Sequence, residues 1–345
     1  MKRILSLVLV LMLCLPLVSA MAEEEKVLNI FTWEYYIDDE TLANFTAETG
    51  IQINYATFAS NEEMLMKLQA NGATEYDIIL ASDYILSMAH KEGLLLPLDR
   101  EKLTGWDNLN PYYLNQYFDP ENVYTMPYAA GVPGIIYDPS RVSFEITSFA
   151  DLWNEEFTDN LCLLDDARVM IGAVLKTLGY SYNTTDEAQL AEAKAKLMEL
   201  RKNVRVLDYD TAYMHVLSGE VMAAYVFTPY AVIAEMENPG IKCVFPKEGI
   251  GFGIDSLAIP ANAPHPENAH LLLDFLLRPE VAAHVAECQW YANPNLAADE
   301  LISDEFKAYA ALNVPEELLA TKEFVQDVGE FESVFQDMWL EFKLQ

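Results

Sequence analysis

Apolar and polar positions alternate in short blocks whose period switches repeatedly along the chain. Val27-Leu28-Asn29-Ile30 is an apolar run, and Asp38, Asp39 and Glu40 precede a helical pattern from Thr41 to Phe45 that closes at Gly50. That order predicts strand, turn and helix. Ile51 to Tyr55 alternates as a strand does, and Ser60-Asn61-Glu62-Glu63 predicts a capping box before a helix with Met64, Leu65 and Leu68 on its apolar face. Tyr76 to Leu80 suits a strand buried on both faces and ends at Ala81-Ser82-Asp83-Tyr84, before a helix that closes at Gly93. Strands alternating with helices predict an α/β fold with a parallel or mixed sheet.

The pattern breaks at Gly131-Val132-Pro133-Gly134, where the chain is expected to cross to a second lobe. Leu161 to Leu164 reads as a buried strand, stopped by Asp165-Asp166 before a helix that ends at Gly179. One of these aspartates is expected to cap the helix, leaving the other free to meet a ligand. Leu190, Ala193, Leu197 and Leu200 mark another helix, and Val221 to Phe227 another buried strand that ends on a ring. Gly251 to Pro260 is expected to cross back, its glycines serving as a hinge. Helices follow around Glu267–Leu277 and Glu280–Cys288, then an aromatic loop at Trp290 to Pro294 and a helix through Phe335, Trp339 and Phe342. The expected organisation is a first lobe over 23–130, a second over 131–255, a return to the first over 256–300, and helices over 301–345 packed on the second lobe.

The N-terminus departs from this rhythm. Lys2 and Arg3, the apolar run Ile4 to Val18 and Ala20-Met21-Ala22 together predict a secretory signal peptide over residues 1–22. Cys14 follows Leu13 rather than a small residue, so a soluble protein without a lipid anchor is expected. The formal net charge is −33, which excludes nucleic acid as a partner and favours cations near the surface. Cys162, Cys243 and Cys288 are widely spaced among apolar neighbours and read as buried free thiols. No metal-ligand spacing, nucleotide loop or nucleophile motif stands out, so no metal, cofactor or catalytic residue is expected.

Candidate chemistry lies where ligands bind in α/β sheets, at the carboxyl ends of strands. Phe31-Thr32-Trp33-Glu34-Tyr35-Tyr36 brings rings and a carboxylate to one turn, as an organic-cation site requires; a structural aromatic corner explains the same residues. Ser82 and Tyr84 end a second strand and Asp166 a third.

With these residues in view, the chain resembles the periplasmic spermidine/putrescine-binding proteins of bacterial polyamine ABC transporters. The resemblance is carried by Trp33 and Tyr36, by Phe45 to Ile53, by Ser60-Asn61-Glu62, and by Leu164-Asp165-Asp166-Ala167-Arg168. Pro246-Lys247-Glu248-Gly249, Asp255 to Ala263, Phe275 to Pro279 and Pro294 to Ala297 extend it over nearly the whole chain. It implies a two-lobed periplasmic-binding-protein fold of type II with the ligand in the cleft, no chemistry, a monomer, and membrane permease subunits as partners. It implies a ligand-binding set of Trp33, Glu34, Tyr36, Ser82, Tyr84, Asp166, Phe227, Asp255 and Tyr291. Glu34, Val169 and Gly253 depart from the family pattern: Gly253 removes a ring, Val169 removes an acid, and Glu34 adds one. Alternatives are a binding protein of the same fold for another solute, including ferric ion at Tyr35-Tyr36 or Tyr112-Tyr113, and a secreted hydrolase using Asp166 and Asp255.

Overall fold

The computed structural model describes residues 25–34 and 36–345. The expected signal peptide with Cys14, and Tyr35 in the aromatic turn, lie outside the described residues.

Strands β1 (Val27–Thr32), β2 (Gln52–Thr57) and β3 (Ile78–Ser82) run parallel, with β1 between the other two. Ile78 and Leu80 of β3 pack on one face of this sheet, and Ile79 and Ala81 on the other. That two-sided burial is why the segment carries no alternation. The helix Asp39–Thr49 starts where Asp38 accepts from the Thr41 amide and ends at Gly50 with φ 75°. Strands β4 (Leu95–Leu96) and β5 (Thr125–Gly131) complete this part of the first lobe.

Only Val132 separates β5 from β6 (Pro133–Tyr137), which belongs to a second sheet. With β7 (Leu161–Leu163), β8 (Val204–Leu207), β9 (Ala223–Phe227) and β10 (Lys242–Val244) it forms the order β10-β6-β9-β7-β8. Strand β11 (Gly251–Pro260) returns to the first sheet, antiparallel to β3, β4 and β5, and β12 (Glu323–Phe324) pairs parallel with its start. The result is a two-lobed α/β fold. No helix among the described residues is long and apolar enough to cross a membrane.

Local differences from the sequence expectation have physical causes. Ser60 caps its helix through the Glu63 amide, but Glu63 reaches back to the Ala59 amide, one residue short of a reciprocal box. The expected boundary at residue 255 falls inside β11, whose Gly253 already pairs with Gly131; the chain re-enters the first sheet earlier because β11 is a single long strand. The segment after residue 300 does not pack as one unit. Ile302 and Phe306 join Ala282, Ala283 and Ala286 of the helix Pro279–Gln289, whereas Phe335, Met338, Trp339 and Phe342 enter the second-lobe core. Cys162 is buried, but Cys243 and Cys288 are half-exposed free thiols.

The helix Ala167–Thr177, which positions the second-lobe end of the cleft, packs tightly on Tyr182. A Cβ on Gly172 would lie 1.9 Å from the Tyr182 ring. Gly172→Ala is expected to cost about 1–3 kcal/mol through overpacking and to lower the melting temperature. An unchanged Tm would show that the ring moves aside freely.

Candidate ligand-binding cleft

The first lobe assembles one wall of a cleft from strand ends and from β11. Asp255 lies opposite Ser82 on β3 and Ala129 on β5, so a carboxylate sits on the strand that joins the lobes. Its Oδ2 accepts a hydrogen bond from Tyr36 Oη. Tyr36 is held by Tyr128, whose hydroxyl donates to the Tyr36 carbonyl at 2.8 Å, and its ring meets Tyr291 edge-on at 5.8 Å. Close approach of Tyr291 explains Gly131: a Cβ there would come within 2.7 Å of the tyrosine ring. Trp33 stands half-buried in the same turn as Tyr36, 4.4 Å from Phe58 between ring centres. Ser82 accepts from Asn61 Nδ2 at 3.2 Å, and Tyr84 Oη donates to Glu62 at 2.8 Å.

The second lobe presents Asp166, Tyr209 and Phe227. Asp166 caps the helix Ala167–Thr177 by accepting from the Val169 amide at 2.9 Å. Phe227 ends β9 and lies 5.7 Å from Tyr209, which follows β8. In the same loop Asp210 accepts from Tyr230 Oη at 2.7 Å.

Electrostatics tie the two walls together. Burial pushes the Asp255 carboxyl above the usual range, opposed by the hydroxyls of Tyr36 and Ser82. Burial likewise raises Asp166, against the Val169 and Arg168 amides and the Arg168 charge, with Glu62 adding to the rise. Tyr209 keeps 38% of its surface exposed; desolvation of its phenol, then Asp166, Tyr291 and Asp255, raise it above an ordinary phenol, so one ring feels carboxylates from both lobes. Tyr84 feels Asp166, and Tyr291 feels Asp210, each across the cleft. Under β11, the buried Asp83 accepts from the Ile254 amide at 3.1 Å and is raised by burial and by Asp255. Among the described residues neither Asp255 nor Asp166 forms an ion pair. Arg168, whose charge acts on Asp166, is turned to Glu332 at 2.7 Å, to Asn183 and to the Gln326 carbonyl. Two recessed acids outside any ion pair, beside aromatic rings, can answer the charges of a cationic ligand.

The structure thus gathers Tyr36, Ser82, Tyr84, Asp166, Asp255 and Tyr291 of the expected set around one cleft, with Trp33 in the Tyr36 turn and Phe227 against Tyr209. Glu34, the ninth of the set, stands exposed in the same turn as Trp33. Of the aspartate pair, Asp165 is occupied by Lys343 and the Trp339 indole, so Asp166 both caps the helix and faces the cleft. Tyr112 and Tyr113 pack with Phe252, and the Lys322 ammonium lies 4.3 Å over the Tyr112 ring. That cation opposes an iron site there. Glu62, Tyr209 and Asp210 lie beside the cleft residues and outside the expected set. The strand-end rule applied to β8 points to Tyr209 and Asp210, because Asp208-Tyr209-Asp210 follows Leu207 directly. Away from the cleft, Asp38, His284 and Cys288 bring possible ligand atoms within 4.8 Å of one another, a grouping formed by the fold and not by sequence spacing alone.

Comparison with known proteins gives the family and the fold. A family model described as bacterial extracellular solute-binding protein matches residues 40–314. The chain is 39% identical over 336 residues to the spermidine/putrescine-binding periplasmic protein of Escherichia coli K12, covering 96% of this chain and 95% of that protein. It is 33% identical over 324 residues to the putrescine-binding periplasmic protein PotF of the same organism, covering 88% and 87%. Among solved structures, the spermidine/putrescine ABC transporter substrate-binding protein PotD of Streptococcus pneumoniae superposes with a TM-score of 0.83 at 35% identity, over 92% of this chain and 98% of that one.

Proposed function

The chain belongs to the bacterial extracellular solute-binding proteins, and from its cleft we propose that it captures an aliphatic polyamine outside the cytoplasm and delivers it to the permease of an ABC importer. It acts as a monomer and leaves its ligand chemically unchanged. The observation that carries this reading is the pair Asp166 and Asp255, one from each lobe, raised by burial, outside any ion pair among the described residues, and both acting on Tyr209. An ammonium buried without a carboxylate would cost several kcal/mol. Each ring over a cation adds about 0.5–2 kcal/mol, and each buried methylene about 0.8 kcal/mol. A chain of methylenes with ammonium groups at its ends matches acids at the two lobes and rings along the span. Glu62 and Asp210, both exposed beside cleft tyrosines, lie where further amines can be answered.

Gly253 tunes length preference. It shares the face of Asp255 by strand alternation, a Cβ there meets nothing within 4 Å, and its φ is not in the left-handed region. A side chain is therefore tolerated. Tyr209 supplies from the second lobe a ring that the first lobe lacks at Gly253. Tyr209→Ala is expected to weaken binding by about 1–2 kcal/mol, a five- to thirtyfold rise in Kd by calorimetry. Gly253→Trp is expected to fold normally by circular dichroism and to shift preference toward the longer amine. Open space at Gly253 also favours a second reading, a bulkier organic cation.

A thermal-shift screen decides between them. Putrescine, spermidine, spermine or cadaverine should raise the Tm by mass action, while a sugar or inorganic phosphate should not. A shift with a quaternary amine alone supports the second reading; shifts only with sugar or phosphate would sink both.

A further inference from the structure

Outside the cleft, one side-chain cluster has the composition and spacing of a metal centre. His284 and Cys288 stand one helical turn apart on the helix Pro279–Gln289, so their side chains share a face. Asp38 meets them from the start of the helix Asp39–Thr49. Both close contacts converge on a single atom: His284 Nε2 lies 3.2 Å from Asp38 Oδ1 and 3.5 Å from Cys288 Sγ. A Cys-His-Asp nucleophilic relay would need the aspartate on the other ring nitrogen, so this arrangement is not a relay.

A bound ion requires its ligand atoms to surround one point, and these three all lie within 4.8 Å of one another. With bonds of about 2.0–2.1 Å to nitrogen, 2.0–2.2 Å to oxygen and 2.3 Å to sulfur, a tetrahedral zinc centre separates its nitrogen and oxygen ligands by roughly 3.3 Å, and nitrogen and sulfur by roughly 3.6 Å. The observed separations are close to both. The Asp38 carboxylate is already oriented by the Thr41 amide and hydroxyl, at 2.9 and 2.6 Å, in the manner of an outer shell that fixes a ligand. The cluster is open to an entering ion: the His284 side chain keeps 38% of its exposure and Asp38 keeps 19%.

We propose that Asp38, His284 and Cys288 bind one divalent transition-metal ion of the zinc class, with solvent in the fourth position. The site would staple two segments that frame the cleft. Asp38 is two residues beyond Tyr36, and Cys288 three residues before Tyr291, the ring that meets Tyr36 edge-on. Metal occupancy would therefore stiffen the Tyr36–Tyr291 wall without touching the ligand.

The mature protein, reduced and freed of metal with EDTA, tests this by titration with Co²⁺. The expected result is one equivalent bound, with intense tetrahedral d–d bands and a thiolate-to-cobalt charge-transfer band, both displaced by Zn²⁺. Cys288→Ala should abolish the charge-transfer band, whereas Cys243→Ala should leave it intact. Asp38→Asn preserves the helix cap and should weaken cobalt binding at least tenfold with an unchanged circular dichroism spectrum. Zn²⁺ should raise the Tm of the parent and not of His284→Gln. Absence of a charge-transfer band in the parent, or its persistence in Cys288→Ala, would overturn the proposal. Amine binding is measured on the same preparations, so a failed metal site leaves the polyamine reading standing or falling on its own data.

Discussion

Asp255→Asn is expected to lower polyamine affinity by a factor on the order of 10² to 10³ while leaving the unliganded protein as stable as the parent or slightly more stable. Removing one partner of a buried ion pair costs roughly 3–5 kcal/mol, because the remaining ammonium keeps its desolvation penalty. The substitution keeps the shape of the side chain, and the amide oxygen can still accept from Tyr36 Oη. The unliganded protein is spared because the ionised carboxylate is unfavourable there. Burial raises Asp255, and Asp255 in turn raises the buried Asp83 beneath it. Calorimetry and ligand-free melting on the same two preparations check both halves. An empty variant that melts clearly earlier, yet binds normally, would make Asp255 a structural residue.

The second large effect is on pH. Asp255, Asp166 and Asp83 have folded-state pKa values raised above the ordinary carboxylate value. For such groups the stabilising contribution is complete below the unfolded pKa, about 3.9, and is lost as pH rises through the raised values. The empty protein should therefore gain stability on mild acidification. The ammonium groups of a ligand demand the ionised forms, so affinity should move the opposite way. It should be highest above the raised pKa values and fall as pH drops through them, about tenfold per pH unit for each carboxylate that must lose a proton to bind. Calorimetry in buffers of different ionisation enthalpy should detect protons released on binding in that window. Asp255→Asn should remove one of the two proton-linked groups and flatten the slope. Affinity that stays constant down to the ordinary carboxylate range would contradict the assignment of Asp166 and Asp255 to the ligand.

Much of the proposed cleft is legible in the sequence because its residues stand where strands stop. The two-sided apolar run into Ser82, and Leu161 to Leu164 into Asp166, each deliver a polar residue at a strand end, and such ends face the cleft in an open α/β sheet. Asp255 was visible only through the resemblance, because it lies inside β11 and its neighbour Ser82 is 173 positions away in sequence and adjacent only by pairing. Tyr209 and Asp210 follow a short strand whose exposed second residue, Arg205, hides it from any apolar pattern. Glu34, one residue from Trp33 in the same turn, is exposed where Trp33 is half-buried. Adjacent residues in a turn need not share a direction. The division of Asp165 and Asp166 depended on Lys343, which reaches back from the last helix at 2.7 Å and which no local pattern connects to residue 165.

The central claim is that an aliphatic amine lies between the lobes with its charges on Asp166 and Asp255. The most direct measurement is a crystal structure of the protein with spermidine. The account predicts density for one molecule in the cleft, with ammonium nitrogens at roughly 2.7–2.9 Å from carboxylate oxygens of Asp255 and Asp166, and methylenes against Tyr36, Tyr209 and Tyr291. A cleft without spermidine at saturating concentration, or a spermidine whose ammonium groups pair elsewhere and leave both aspartates unpaired, would contradict it.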